Sequence, residues 1–232
     1  MPIHYEDRSV LAIDKPPGWM LVPFSWQRTS RNLQAALISS IAAGDFWARS
    51  RNLKFLRYVH RLDAETSGVL LFTRSPGAAE SYGKLFESRR MEKVYLAVVE
   101  GVPRVSEWTC TEPLGQVPGQ PGRMRVDARL GKDALTRFKV LMSKGARTLV
   151  EARPETGRTH QIRVHLACAG HPVARDYLYG KPRTEREESI GLRAIELRYQ
   201  DPFTRRPVSI RAPTEGFLRE YGFDLPADYG KV

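Results

Sequence analysis

Tyr58-Val59-His60-Arg61-Leu62-Asp63-Ala64-Glu65-Thr66-Ser67-Gly68-Val69-Leu70-Leu71-Phe72 is the stretch whose reading decides the fold. It begins extended, halts at a polar knot, and resumes as an apolar run far too short to span a membrane. Val69 to Phe72 are apolar at every position, which predicts a strand covered on both faces. The knot Asp63-Ala64-Glu65-Thr66-Ser67-Gly68 therefore sits at the mouth of a buried strand, on a turn the core holds rigid. If His60 to Asp63 is extended, His60 and Leu62 share one face and Arg61 and Asp63 the other. An Arg–Asp pair on the open face of a rigid turn suits chemistry. The same residues are also ordinary turn vocabulary, because short polar side chains bond nearby backbone N–H groups. On the residues alone Asp63 stays open between turn former and catalyst.

Outward from that stretch, the 232 residues suffice for one large domain or two lobes, and composition does not shift enough along the chain to mark independent domains. A formal charge of +11 and a pI near 9.9 point to a polyanionic partner, nucleic acid before a membrane surface. Arg outnumbers Lys, which suits bidentate phosphate contacts and stacking on rings. The two cysteines, Cys110 and Cys168, are expected to be reduced, mostly buried thiols. Met1 to Arg8 lack the apolar core of a signal peptide, and no apolar run approaches membrane-span length. The expectation is a soluble, cytoplasmic monomer with no membrane contact.

Before the central stretch, Ser9 to Asp14 reads as a strand halted by Lys15-Pro16-Pro17-Gly18. Residues 30–43 read as a helix burying Leu33, Ala36, Leu37 and Ile41. Phe46 to Arg51 mixes aromatic and basic residues, as an RNA clamp or simply a solvated loop around one buried Trp. After it, Pro76 opens a helix to about Arg89 with a stripe of Ala79, Tyr82, Leu85 and Phe86. Glu92 to Gly101 reads as a strand apolar on both faces except for Tyr95, whose simplest reading is a buried, hydrogen-bonded ring. A strand near Trp108 leads to the Gly/Pro-rich residues 115–123, the expected internal hinge. Ala134 to Met142 and Thr148 to Arg153 alternate as paired strands.

Thr159 is read as the N-cap of a further helix whose buried face is Ile162, His165, Leu166 and Ala169. Arg163 lies off that face and Arg158 precedes the cap, so both are expected to project outward. Strands at Ala194–Tyr199 and Pro207–Arg211, then a helix from Thr214 to Tyr221, complete the chain. No P-loop or dinucleotide fingerprint occurs, and His160 and His165 are five residues apart rather than the four that align metal ligands on a helix.

His60-Arg61-Leu62-Asp63-x-x-Thr66-Ser67-Gly68 resembles the signature segment of RluA-type RNA pseudouridine synthases. So do Lys15-Pro16-Pro17-Gly18, Lys93-Val94-Tyr95-Leu96-Ala97, and Gly157-Arg158-Thr159-His160-Gln161-Ile162-Arg163-Val164-His165-Leu166, with Asp176 and Tyr179-Gly180 continuing the pattern. The resemblance runs from Ser9 to about Phe217, without the S4-type RNA-binding module of some relatives. It implies an α+β pseudouridine synthase fold: an extended mixed, mostly antiparallel sheet in two lobes, flanked by helices, with a central catalytic cleft. It implies Asp63 as catalytic aspartate, Arg163 as its partner, and Tyr95 as the ring against the target base. Arg61 resembles the arginine that enters the space left by the flipped base. His60, Thr66, Arg158 and His160 fall in the same motifs, and Leu192 stands where the family has Leu-His-Ala, as an apolar wall of the site; all are expected to contact or help flip RNA. Arg193 departs from the family's Leu-His-Ala pattern and is given no catalytic role. No cofactor or metal is expected, and the partner is an rRNA or tRNA stem-loop. Two other readings stay in view: a non-catalytic RNA-binding protein on this scaffold, and a nucleoside glycosidase using Asp63 and Glu65.

Overall fold

The computed structural model describes residues 1–21, 31–181 and 188–224. In chain order, β1 (Ile3–Glu6) and β2 (Val10–Lys15) are followed by α1 (Leu33–Ala42), α2 (Phe46–Arg49), β3 (Arg57–Tyr58), β4 (Ser67–Thr73) and α3 (Pro76–Glu87). Then come β5 (Glu92–Glu100), β6 (Glu107–Cys110), β7 (Leu114–Gln116), β8 (Met124–Val126), β9 (Thr136–Lys144), β10 (Arg147–Pro154) and α4 (Gln161–Cys168). The chain closes with β11 (Leu192–Gln200), β12 (Pro207–Arg211) and α5 (Glu215–Tyr221). It divides into two compact units, residues 1–92 with 196–212, and residues 93–195 with 213–232. The fold is α+β with antiparallel strand pairing throughout the named ladders, as expected.

The first unit is built around β4. All of Gly68 to Thr73 is buried, as the uninterrupted apolar run predicts. β2 pairs with it from Val10↔Thr73 to Lys15↔Gly68, and the short β3 pairs with its far end. Val10, Ala12, Val69 and Leu71 meet Leu197, Tyr199, Ile210 and Ala212, and Ala78, Tyr82 and Leu85 of α3 cover them. The buried alanine of α3 is Ala78 rather than Ala79, which is half-buried. Tyr82 and Leu85 are buried as expected, and Phe86 packs half-buried against the same cluster. α1 buries Leu33 and Leu37, while Ala36 is exposed and Ile41 half-buried, so its contact face is one narrow seam. Ser30, where that helix is expected to begin, lies outside the described residues. The observed N-cap is Asn32, whose side chain accepts from Ala35 N.

In the second unit β5 pairs with β10 from Glu100↔Arg147 to Tyr95↔Ala152. β10 pairs with β9 across the Gly145 turn, where φ is +59° and glycine is the natural occupant. β6 adds to β9 with Trp108 stacked on Phe138. Val94, Leu96, Val98, Leu149 and Ile195 form the core with Leu218 and Tyr221 of α5. The Gly/Pro-rich residues 115–123 lie inside this unit, where they connect the paired β7 and β8. The cysteines differ from expectation: Cys168, the last residue of α4, is exposed, and Cys110, the last residue of β6, is half-buried.

Candidate active site

In the first unit the turn after β3 places Asp63 half-buried, with Leu62 buried on one side and Arg61 exposed on the other, the alternation expected of an extended run. Thr66 N donates to Asp63 O at 3.2 Å, closing the turn. The first residue of the Lys-Pro-Pro-Gly motif, given no role of its own in the sequence reading, anchors it. Lys15 is fully buried, and its Nζ donates to Pro16 O, Trp19 O and Ala64 O, each at 2.9 Å. Gly18 N adds a fourth bond, to Ala64 O at 2.8 Å. The Lys-Pro-Pro-Gly segment is thus stitched to the turn that carries Asp63. Burial drives the Lys15 ammonium down to about 8, against the opposing fields of Asp63 and Glu65.

His60 is fixed from two sides. Its ring stacks on Phe86 at 4.7 Å between centroids, and its Nε2 accepts from Leu71 N at 3.0 Å. An accepting Nε2 places the ring proton on Nδ1. Thr66 Oγ1 is buried with no hydrogen-bond partner among the described residues.

In the second unit Tyr95 is 8% exposed on β5, opposite Ala152, and the neighbouring Lys93 Nζ donates to Thr156 O at 2.8 Å. Leu192, at the start of β11, is buried. Arg158 is half-buried and donates from Nε to Asp133 O at 2.8 Å. α4 departs from its expected pattern at three points. The N-cap is His160 in the left-handed region (φ +53°), not Thr159, and it makes no side-chain cap bond. Ala169 is exposed, past the helix end. Arg163, expected to lie off the buried face, is fully buried. The reason is Asp176, whose two carboxylate oxygens take Arg163 Nε at 2.7 Å and Nη2 at 2.9 Å in a bidentate pair.

Asp176 is itself held, its Oδ1 accepting from Leu178 N and Tyr179 N. Tyr179 OH accepts from Met124 N at 2.9 Å and shares a hydrogen bond with His160 Nδ1 at 2.7 Å, while its ring lies under Arg163 at 5.3 Å. On the inner side Gln161 bonds Thr156, Leu135 and Thr136, and His165 bonds Thr136 and Glu112 O. Every polar side chain that α4 buries is accounted for. Burial lowers the His165 pKa, so this imidazole is neutral.

The comparisons with known proteins meet this geometry. The family described as RNA pseudouridylate synthase matches residues 9–168, the span that holds Lys15, Asp63, Tyr95 and Arg163. The chain belongs to that family. RNA pseudouridine synthases are therefore its enzyme class, of the RluA type the motifs suggest. An uncharacterized RNA pseudouridine synthase of Bacillus subtilis, YhcT, is 37% identical over 78% of this chain, which spans 58% of that relative. The ribosomal large subunit pseudouridine synthase C of Salmonella typhimurium is 35% identical over 94% of the chain and 67% of its own length. Among solved structures, human RNA Pseudouridylate Synthase Domain Containing 1 superposes with a TM-score of 0.72 at 29% identity, covering 91% of this chain and 82% of its own.

Proposed function

We propose that this chain converts uridines in structured RNA, ribosomal or transfer, to pseudouridine, with Asp63, Tyr95 and Arg163 as the catalytic residues. The target nucleotide leaves its stack at a cost of a few kcal/mol. Arg61, exposed beside Asp63, takes the vacated place, and base–aromatic stacking on Tyr95 offsets about 1–3 kcal/mol. The Asp63 carboxylate engages the nucleoside as the N1–C1′ bond breaks. The uracil turns, C5 bonds to C1′, and the proton on C5 departs, with Tyr95 as the acid/base group nearest it. Arg163 is assigned the role of keeping Asp63 anionic, as its place in the Gly157–Leu166 motif implies. His60, Thr66, Arg158, His160 and Leu192 shape the surroundings and contact the RNA. Large-subunit ribosomal RNA is the first substrate to try, by analogy with the Salmonella relative.

The observation that carries this reading is the clamped turn: a half-buried carboxylate at the mouth of β4, with an exposed arginine two residues before it. The test is hydrogen release from RNA carrying C5-tritiated uridine. Wild type is expected to release tritium without freeing uracil, and Asp63→Asn to bind RNA as well but release none. Turnover by Asp63→Asn would remove the assignment, and free uracil would mean hydrolysis instead of isomerisation.

A further inference from the structure

Between α1 and the segment leading into β3, the first unit carries a groove of about 510 Å³ that the reaction above leaves unused. Ile38, Ile41 and Ala42 form its helical wall, and Phe55, Leu56 and Tyr58 the other. The walls are held at a set spacing, because Gln34 Nε2 donates to Leu56 O at 2.9 Å. Gln34 Oε1 is left as a buried acceptor with no donor among the described residues. The lip is open, with Ile38 54% exposed. Lys54 and Arg57 also line the groove, both exposed, with no acidic partner among the described residues, and no Asp or Glu takes part in the lining.

We propose that this groove is an accessory RNA site that seats one unpaired nucleotide of the substrate RNA. The base lies against Phe55 and Tyr58, and its phosphate lies by Lys54 and Arg57. The inference rests on the reading that the chain acts on RNA. An apolar slot with two rings is what a splayed base requires, and flanking cations are what its phosphate requires. An apolar peptide would gain nothing from two unpaired cations, whereas a polyanion with a flat apolar base uses both features. The wall is also coupled to the Asp63 turn within this unit. Tyr58 pairs with Phe72 of β4, Thr73 Oγ1 donates to Arg57 O at 3.0 Å, and the same run continues through His60 and Arg61 to Asp63. Five extended residues span at most roughly 17 Å, so a nucleotide seated in the groove lies a short stretch of RNA from one presented to Asp63. Seating it selects RNA with an unpaired base at that separation from the target.

The test uses the full chain, a fluorescein-labelled oligouridylate, and the same oligonucleotide carrying 4-thiouridine. Ile38→Glu puts a carboxylate on an exposed lip position, and it is expected to weaken binding roughly tenfold with the melting temperature unchanged. Replacing both Lys54 and Arg57 with Ala is expected to flatten the log–log salt dependence of binding by about 0.7, one phosphate contact of single strand. Irradiation of the thiouridine complex is expected to cross-link the peptide holding Phe55 and Tyr58. If Ile38→Glu disturbs folding, the salt slope of the double variant decides. Affinity within twofold of wild type in both variants, with cross-links only elsewhere, overturns the groove; tritium release by the wild type would then leave the pseudouridine synthase reading standing. Unchanged oligouridylate affinity together with loss of a protein partner in Ile38→Glu assigns the groove to a polypeptide and overturns it too. Wild-type protein that neither binds RNA nor releases tritium overturns both readings.

Discussion

Lys15 shows how much a single side chain can decide. A lysine ammonium has three hydrogens, and here all three are used on backbone carbonyls, one of them in the turn that carries Asp63. Its pKa falls to about 8 in the fold, against about 10.4 in an unfolded chain. Between those values the unfolded state binds more protons at this group, so its contribution to stability rises with pH across the window. Activity should run the other way. The neutral amine has two hydrogens for three carbonyls and no charge to oppose that of Asp63, so turnover is expected to decline through pH about 8 with no matching loss of stability from this group. Lys15→Met should abolish that alkaline limb and cost about 2–4 kcal/mol from carbonyls that lose a donor. A pH–rate profile with denaturant melts at each pH reads both effects, and a limb that persists in the variant assigns the titration elsewhere. Arg163, the other large cation at 0% exposure, is held by a carboxylate instead. Breaking a buried pair by removing one partner is expensive, so Asp176→Ala should lose about 3–5 kcal/mol in urea denaturation. A loss below about 1 kcal/mol would mean that Asp176 is not what holds Arg163.

Elements differ in how well their sequences announce them, and the differences have physical causes. β4 was legible because a strand covered on both faces has no choice but to be apolar throughout. α3 was legible at its start, where Ser75 caps Ala78 N and Pro76 opens the first turn. Its end uses Arg89 at φ +58°, with Arg89 N bonding Phe86 O and Arg90 N bonding Leu85 O, a closing motif that usually signals itself with glycine. α4 was legible as a helix but not in its facing. Periodicity placed His165 on the buried face but equates most polar residues with exposure, yet Gln161 and Arg163 are buried too, because each finds hydrogen-bond partners far along the chain. The motif match marked Asp63, Tyr95 and Arg163 as candidates, whereas Asp176 as the partner of Arg163 depends on a loop closing back, which no local pattern encodes. The start of α4 offers a sharp test. His160→Gly and His160→Ala both lose the bond to Tyr179, and they differ only in a Cβ at φ +53°. The glycine variant is therefore expected to be more stable than the alanine variant by about 0.5–1 kcal/mol in thermal or urea melts. The reverse order would mean that the left-handed residue relaxes once the imidazole is gone.

For the whole molecule, the consequential feature is that two of the three passages between its units fall inside regular strands, at residues 92/93 in β5 and 195/196 in β11, the third following β12 at 212/213. Strand interiors carry no Gly or Pro punctuation, so composition gives no warning of such passages, while residues 115–123, rich in both, lie within one unit. The first unit is thereby discontinuous. Leu197, Tyr199, Ile210 and Ala212 of its core arrive from more than a hundred residues downstream. Asp201 comes with them; it accepts from the buried Tyr82 hydroxyl and holds its own turn by accepting from Phe203 N and Thr204 N. Without that late segment Val69, Leu71, Tyr82 and Leu85 would face water, at about 1.5–3 kcal/mol for each large side chain, and native domains have only about 5–15 kcal/mol to lose. A fragment of residues 1–92 is therefore expected to show no cooperative thermal transition and poorly dispersed amide resonances. Joining residues 196–212 to residue 92 through a Gly/Ser linker is expected to restore both. A cooperative melt from residues 1–92 alone would mean that β2, β4 and α3 close their own core, leaving β11 and β12 as later additions to it.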